Sequence, residues 1–164
     1  MPILDLQDLP ALLSGEQRLL GLDLGDTTIG MAISDPALMV ASPIDTIRRR
    51  KFTHDAGELA RTIRTRNVGA LVLGLPVNMD GSHGPRVDKT RSFADNLLKH
   101  PHLFGDADLP IAYWDERLST SAVERFLIDD ADMTRKRRGE VVDKMAAGWI
   151  LQGALDWLSS RPKD

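Results

Sequence analysis

Hydrophobic and polar positions along the chain follow two different periods, and their order predicts an α/β fold. Residues 19–24 form a nearly continuous apolar run, which is typical of a strand covered on both faces. Ile29, Met31 and Ile33 alternate with other residues and predict a second strand, joined to the first as a hairpin by the turn at residues 25–28. Further strands are predicted at residues 44–47, 70–75 and 111–114.

Helical patterns follow these strands. Apolar residues spaced i, i+3, i+4 and i+7 predict one amphipathic helix, and these residues are Ala56, Leu59, Ala60 and Ile63. A second helix is expected from Pro85, a third from the capping-box pattern Ser121-x-x-Glu124, and a last one over residues 141–158.

This order of elements favours a hairpin meander followed by right-handed βαβ crossovers. We therefore predict a five-stranded mixed sheet with helices on both faces. Residues 1–17 are expected to form an N-terminal extension, and residues 18–160 a single domain.

Composition narrows the class of protein. The chain has 164 residues, 42% of them hydrophobic and 27% charged, as in ordinary globular domains. It has no cysteine, which excludes disulfide scaffolds, cysteine-ligated zinc and thiol nucleophiles. The chain also lacks a secretory signal pattern and any apolar run of the ~20 residues that span a bilayer, so we expect a cytoplasmic protein with no membrane partner.

Basic residues are concentrated although the net charge is −3. The acidic total argues against a large basic face for nonspecific nucleic-acid binding. Two basic runs, residues 48–51 and 135–138, nevertheless create locally positive surface. In the first run Arg49, Arg50 and Lys51 are candidates to contact substrate phosphates, and the alternative for each run is a solvated loop.

Acidic residues provide the candidate chemistry. Asp23 interrupts an apolar strand, where a lone carboxylate would be costly unless paired, hydrogen-bonded or bound to a cation. Asp115 and Glu116 directly follow the fifth predicted strand, so one or both could lie at the same edge of the sheet. Asp143 shares a helical stripe with apolar residues, although it could instead complement the helix dipole. Three such acids could bind one or two Mg²⁺ or Mn²⁺ ions and hydrolyse a phosphodiester.

Four ordered blocks of sequence resemble the YqgF/RuvX family of bacterial proteins. The opening signature comprises residues 21–25 (GLDLG) and 29–35 (IGMAISD), and the later blocks are residues 73–82 (LGLPVNMDGS), 115–120 (DERLST) and 142–151 (VDKMAAGWIL). The family comprises RNase H-like proteins assigned as Holliday-junction resolvases and pre-16S rRNA nucleases. Because the blocks extend over nearly the whole domain, the match is strong.

The resemblance implies an RNase H-like, RuvC-like fold and a metal-dependent nuclease that uses Mg²⁺ or Mn²⁺. Asp23, Glu116 and Asp143 would be both the catalytic and the metal-ligating residues. The implied role is processing of the 5′ end of pre-16S rRNA in ribosome biogenesis, with structured RNA as partner and an association with pre-rRNA or the ribosome. The alternatives are a Holliday-junction resolvase acting on branched DNA and a noncatalytic RNA-binding assembly factor.

Two further residues are candidates for substrate binding. Arg117 could steady a phosphate through its paired donors, or could pair with a neighbouring acid. Asn78 lies in a glycine-rich loop that could follow a substrate backbone, although such loops are commonly plain turns. Residues 23–28 also resemble the phosphate-binding hairpin of actin-like ATPases, which clamp nucleotide between two such domains, whereas this chain has the length of one.

Overall fold

A six-stranded mixed sheet forms the centre of the molecule. The computed structural model describes residues 3–101, 109–118 and 135–161, and the side chains of residues 118 and 135–144 lie outside that description. The strands are β1 (Arg18–Leu24), β2 (Thr28–Ser34), β3 (Ala41–Pro43), β4 (Ile47–Arg48), β5 (Val68–Leu75) and β6 (Ile111–Asp115). Their order is β3-β2-β1-β5-β6, with β4 also paired to β2.

The direction of the strands determines where functional groups meet. β1 and β2 form the predicted antiparallel hairpin, whereas β1 pairs parallel with β5 and β5 pairs parallel with β6. The carboxyl ends of β1, β5 and β6 therefore lie at one edge of the sheet, which we call the carboxyl edge.

The prediction of a single third strand over residues 44–47 was wrong. Two short strands, β3 and β4, pair with β2 on either side of that segment. Pro43 pairs with Ala32, and Ile47 pairs with Ile29. Three residues therefore lie between the paired positions on the β3–β4 side, but only two lie between them on β2. An extra residue of this kind is a β-bulge, which interrupts regular pairing.

Three α-helices cover the sheet in the described residues. They are α1 (Phe52–Thr65), α2 (Pro85–Leu98) and α3 (Arg135–Ser160). The first two confirm the predicted helices, and α3 begins before the predicted start at residue 141. The third predicted helix, from Ser121, falls outside the described residues.

Helices lie on both faces of the sheet, as predicted. Alternate residues of β1 enter two separate cores because successive strand side chains point to opposite faces. Leu20 and Leu22 pack with α1 and α2, whereas Leu19 packs with residues of α3 such as Leu151.

The N-terminal segment packs against the sheet. Residues 3–12 contain two 3₁₀ turns, η1 (Leu6–Asp8) and η2 (Pro10–Leu12), and Ile3 forms a parallel bridge to Ile111 of β6. Leu6 and Leu9 are buried in the core beneath α3. In the described residues, no helix combines the length and the apolar character needed to cross a membrane.

Candidate active site

Two of the three predicted acids meet at the carboxyl edge. Asp23 occupies the penultimate position of β1, and Glu116 begins a 3₁₀ turn, η3 (Glu116–Leu118), directly after β6. Their side chains share a hydrogen bond across the intervening strand β5. The topology therefore joins two carboxyl groups that lie far apart in the sequence.

Glycine in β5 makes room for this contact. Gly74 pairs with Trp114 of β6, one position before the strand ends. A Cβ atom at position 74 would lie 3.1 Å from Cγ of Glu116 and would collide with Cδ1 of the buried Ile150. The missing side chain thus lets Glu116 lie over β5 and reach Asp23.

Partial burial and the closeness of the two carboxyl groups both disfavour the ionised form of Glu116. Burial, followed by the negative charge of Asp23, raises the pKa of Glu116 to about 7. Arg86, in the first turn of α2, has a smaller opposing effect on this pKa. Near neutral pH the pair therefore holds a proton readily, since two adjacent negative charges repel each other.

Only the backbone of the third predicted acid, Asp143, is described. Gln152 of α3 accepts a hydrogen bond from the backbone of Ala41, and Gly148 faces Pro43, so α3 runs antiparallel to β3 and β1. Asp143 lies about one turn before Ala147, toward the carboxyl edge. Its side chain lies outside the described residues, so its place in the site stays a prediction.

Arg117 is held by the acid beside it. Its Nε and Nη2 donate to the Asp115 carboxylate at 2.9 and 2.6 Å. The side-chain hydrogen bonds from Arg117 are the main reason why the pKa of Asp115 lies below its ordinary value. Of the two alternatives that the sequence left open, the structure has the pairing with a neighbouring acid.

The glycine-rich loop after β5 is folded on itself. Asn78 donates from its side-chain amide to the Ser82 hydroxyl at 3.0 Å, and the Ser82 backbone N–H donates to Asp80 at 2.8 Å. Asn78 is exposed, and the loop leads into α2 at the carboxyl edge.

The first basic run is ordered by local contacts. Arg49 donates from Nη1 to the carbonyl of Gly25 at 2.7 Å, which fastens the run to the turn directly after β1. Arg50 and Lys51 are exposed, and Lys51 immediately precedes α1. Arg49 is therefore the member of this run whose side chain bonds the turn after β1.

Sequence reasoning missed Asp55 and Arg86. Asp55 is 1% exposed and accepts hydrogen bonds from the backbone N–H of Arg50 and from His54. An acid one turn into a predicted helix could have suggested such a cap. Arg86 carried no local signal, because its effect on Glu116 depends on how the loop after β5 delivers α2 to the sheet.

The donor set suits a hard divalent cation. In the parts of the chain with described side chains, no cluster of three or more candidate metal ligands occurs. Asp23 and Glu116 nevertheless supply carboxylate oxygens in direct contact, and a cation would offset their mutual repulsion and partial burial. These two residues could hold part of the coordination shell of Mg²⁺ or Mn²⁺.

Comparison with protein families gives a match over most of the chain. The family model described as "RuvX: Holliday junction resolvase" matches residues 17–157. A protein of Rhodospirillum centenum named "Putative pre-16S rRNA nuclease" is 64% identical over 158 residues, covering 96% of this chain and 83% of that protein. A protein of the same name from Paramagnetospirillum magneticum is 60% identical over 156 residues, covering 95% and 96%.

Comparison with solved structures supports the fold. The T. thermophilus RuvC structure in complex with a Holliday junction substrate gives a TM-score of 0.53 at 13% identity, covering 88% of this chain and 96% of that chain. A further T. thermophilus RuvC structure gives a TM-score of 0.51 at 9% identity, covering 88% and 98%. These similarities confirm the predicted RuvC-like arrangement of sheet and helices.

Proposed function

Because this chain belongs to the RuvX family of Holliday junction resolvases, we propose that it hydrolyses phosphodiester bonds near the 5′ end of precursor 16S rRNA. The names nuclease and resolvase both denote cleavage of nucleic-acid phosphodiester bonds, and a relative that is 64% identical carries a pre-16S rRNA nuclease name. This role would bring the protein into contact with pre-rRNA or assembling ribosomes in the cytoplasm.

The contact between Asp23 and Glu116 is the observation that carries this proposal. Two carboxyl groups lie together at the carboxyl ends of parallel strands, where α/β folds place their sites. Their juxtaposition is destabilising when both are ionised, and such arrangements are concentrated at functional sites. A divalent cation bound for phosphodiester hydrolysis would offset the repulsion between the two carboxylates and so explain their contact.

The proposed mechanism assigns separate tasks to the residues of the carboxyl edge. Asp23 and Glu116, joined by Asp143, would hold one or two Mg²⁺ or Mn²⁺ ions. Metal bound in such sites lowers the pKa of a water and stabilises the leaving oxygen. The positive charge of Arg86 acts on Glu116, and its guanidinium could orient the scissile phosphate.

Substrate contacts extend away from the acids. Arg49, fastened to Gly25 beside the end of β1, would attract the phosphates that flank the cleaved bond. Arg50, Lys51 and Asn78 are exposed and would bind the same strand. Arg117 is already ion-paired with Asp115, so it would contact substrate as part of that ion pair and not as a free cation.

Branched DNA is the second candidate substrate. The matching family is described by Holliday junction resolution, and the fold is similar to that of RuvC. A resolvase must cut two opposed strands, so this reading requires two copies of the chain acting together.

The test compares both substrates under one set of conditions. Purified protein is incubated with a 5′-labelled precursor 16S rRNA fragment or a labelled four-way DNA junction, with Mg²⁺, Mn²⁺ or EDTA. We expect metal-dependent cutting of the RNA and a loss of at least about 10²-fold in Asp23→Asn and Glu116→Gln. Asp8→Asn and Glu16→Gln make the same chemical changes at exposed positions away from the carboxyl edge and should retain the wild-type rate.

Each other outcome points to a different function. Preferential cutting of the junction would favour the resolvase. Tight RNA binding with no cutting of either substrate would favour a noncatalytic assembly factor. Cutting that persists in Asp23→Asn would contradict the proposed site.

A further inference from the structure

A second charged feature lies outside the carboxyl edge, between β4 and α1. It is a cavity of about 370 Å³ bounded by the bulge between β3 and β4 and by one face of α1. His54, Glu58, Thr62 and Thr65 line it at helical spacing, and Arg66 closes its far end. From residue 54 to residue 66 a helical path rises about 18 Å, so the cavity has the form of a groove along α1.

The groove carries more positive than negative charge. Its walls contain four arginines, Arg48, Arg50, Arg61 and Arg66, and two acids, Asp45 and Glu58. Arg61 and Glu58 form an ion pair with each other. Among the described residues, Arg48, Arg50 and Arg66 form no ion pair, and all three are exposed.

The basic run connects this groove to the carboxyl edge. Arg48 and Arg50 line the groove, whereas Arg49 between them donates to the carbonyl of Gly25. This division follows from extended backbone, in which successive side chains point to opposite sides. The run therefore presents positive charge to the groove and to the end of β1 at the same time.

A buried carboxylate stabilises this arrangement. Asp55 accepts the backbone N–H of Arg50 at 3.0 Å, and its second oxygen lies 3.9 Å from Nε of Arg49. The nearly complete burial of Asp55 makes these contacts costly to lose. Contacts with Asp55 of α1 thus fix the backbone at Arg49 and Arg50 in this conformation.

We propose that the groove along α1 binds the phosphate backbone of the RNA strand on one side of the cleavage site. A groove about 18 Å long accommodates several successive phosphates, since stacked nucleotides rise about 3.4 Å each along a strand. Its mixture of guanidinium and hydroxyl groups, with no phenylalanine, tyrosine or tryptophan among the described residues of its lining, suits a backbone rather than a base. The inference rests on the proposed function, because it names where the substrate continues beyond the carboxyl edge.

Binding of a fluorescein-labelled 12-nucleotide single-stranded RNA, followed by anisotropy over a series of salt concentrations, tests the groove. A gel run after each titration establishes that the RNA is intact. Arg66→Ala should weaken binding about fivefold at 0.1 M salt and reduce the slope of log K against log salt by about 0.7, the effect of one phosphate contact. Arg64→Ala removes the same charge two residues away, at an exposed position outside the groove, and should match the wild-type protein.

A gain in affinity provides a test that misfolding cannot imitate. Asp45→Asn removes a negative charge from the groove and should tighten RNA binding, whereas Asp8→Asn should leave it unchanged. Equal Kd values and salt slopes for Arg66→Ala and Arg64→Ala would overturn the groove proposal. Because binding is read without cleavage, an inactive wild-type protein would refute only the proposed function, and active enzyme with an unaltered Arg66→Ala Kd would refute only the groove.

Discussion

Asp23 shows how one residue in an unfavourable place can indicate function. The sequence places a carboxylate in an apolar strand, and the structure brings a second acid, Glu116, into hydrogen-bond contact with it. Two ionised carboxylates in contact repel each other and oppose folding. The pair therefore favours a role in which a cation is bound.

The Glu116 carboxyl predicts a specific dependence of stability on pH. Its pKa is raised from 4.5 to about 7 in the folded protein. Folding is therefore favoured while Glu116 is protonated, and this advantage is lost as pH rises from about 4.5 to 7. The loss amounts to about 3 kcal/mol at most for a shift of this size.

Urea unfolding in EDTA at a series of pH values measures this effect. The free energy of unfolding of the wild-type protein should fall relative to Glu116→Gln between pH 4.5 and 7, and the difference should then level off. Glu16→Gln, at an exposed position, corrects for the general effect of the substitution. Parallel curves for wild-type protein and Glu116→Gln would show that the carboxyl pair is not coupled as described.

At the scale of elements, the packing of α3 on the sheet depends on small residues. A Cβ atom at Gly21 of β1 would lie 2.8 Å from Cβ of Leu151 and 3.3 Å from the carbonyl of Ala147. Neither atom is the end of a flexible side chain, so the helix itself would have to move. Since α3 also carries Asp143, this close approach couples core packing to the geometry of the candidate site.

Two glycine-to-alanine substitutions test this packing in opposite directions. Gly21→Ala should destabilise the protein by about 1–3 kcal/mol through overpacking against α3. Gly57→Ala, in α1 with open space around it, should stabilise by about 0.5–1 kcal/mol because alanine favours helix. Thermal unfolding should move by about 2–4 °C for each kcal/mol. A neutral Gly21→Ala would mean that α3 packs more loosely on β1 than these distances indicate.

The elements that were predictable from sequence are those with complete local patterns. The apolar stripe of α1 is buried as predicted, and Pro85 begins α2. The segment at residues 44–47 was mispredicted because its apolar residues, Ile44 and Ile47, span a bulge instead of alternating along one strand. Ala41–Pro43 offered no β-branched residue to indicate a strand.

For the molecule as a whole, Asp23 and Glu116 could be singled out as candidates from the sequence, but the geometry that joins them could not. Asp23 and Glu116 meet because β5 separates their strands and has Gly74 at the crossing point. Strand order is a tertiary property that no local pattern specifies. The effect of Arg86 on Glu116 and the inclusion of Arg66 in a groove with Arg48 were equally inaccessible, since each depends on the packing of a helix against the sheet.

The distribution of charge reconciles an acidic protein with a polyanionic substrate. The net charge is −3, yet arginines of β4, the following run and α1 gather on one flank of the sheet. The carboxyl pair lies at the carboxyl edge, where Arg49 bonds the turn after β1 and the charge of Arg86 acts on Glu116. A phosphate backbone can therefore be attracted along the flank and brought to the acids without a strongly basic protein overall.

Isothermal titration calorimetry with Mn²⁺ at pH 7 directly tests whether the carboxyl pair binds a metal ion. We expect the wild-type protein to bind Mn²⁺ with a heat that varies with the ionisation enthalpy of the buffer, because the pair gives up its proton on binding. Asp23→Asn and Glu116→Gln should lose this binding, and Asp8→Asn should keep it. Unaltered Mn²⁺ affinity in Asp23→Asn, or a wild-type protein that binds no Mn²⁺, would contradict the account.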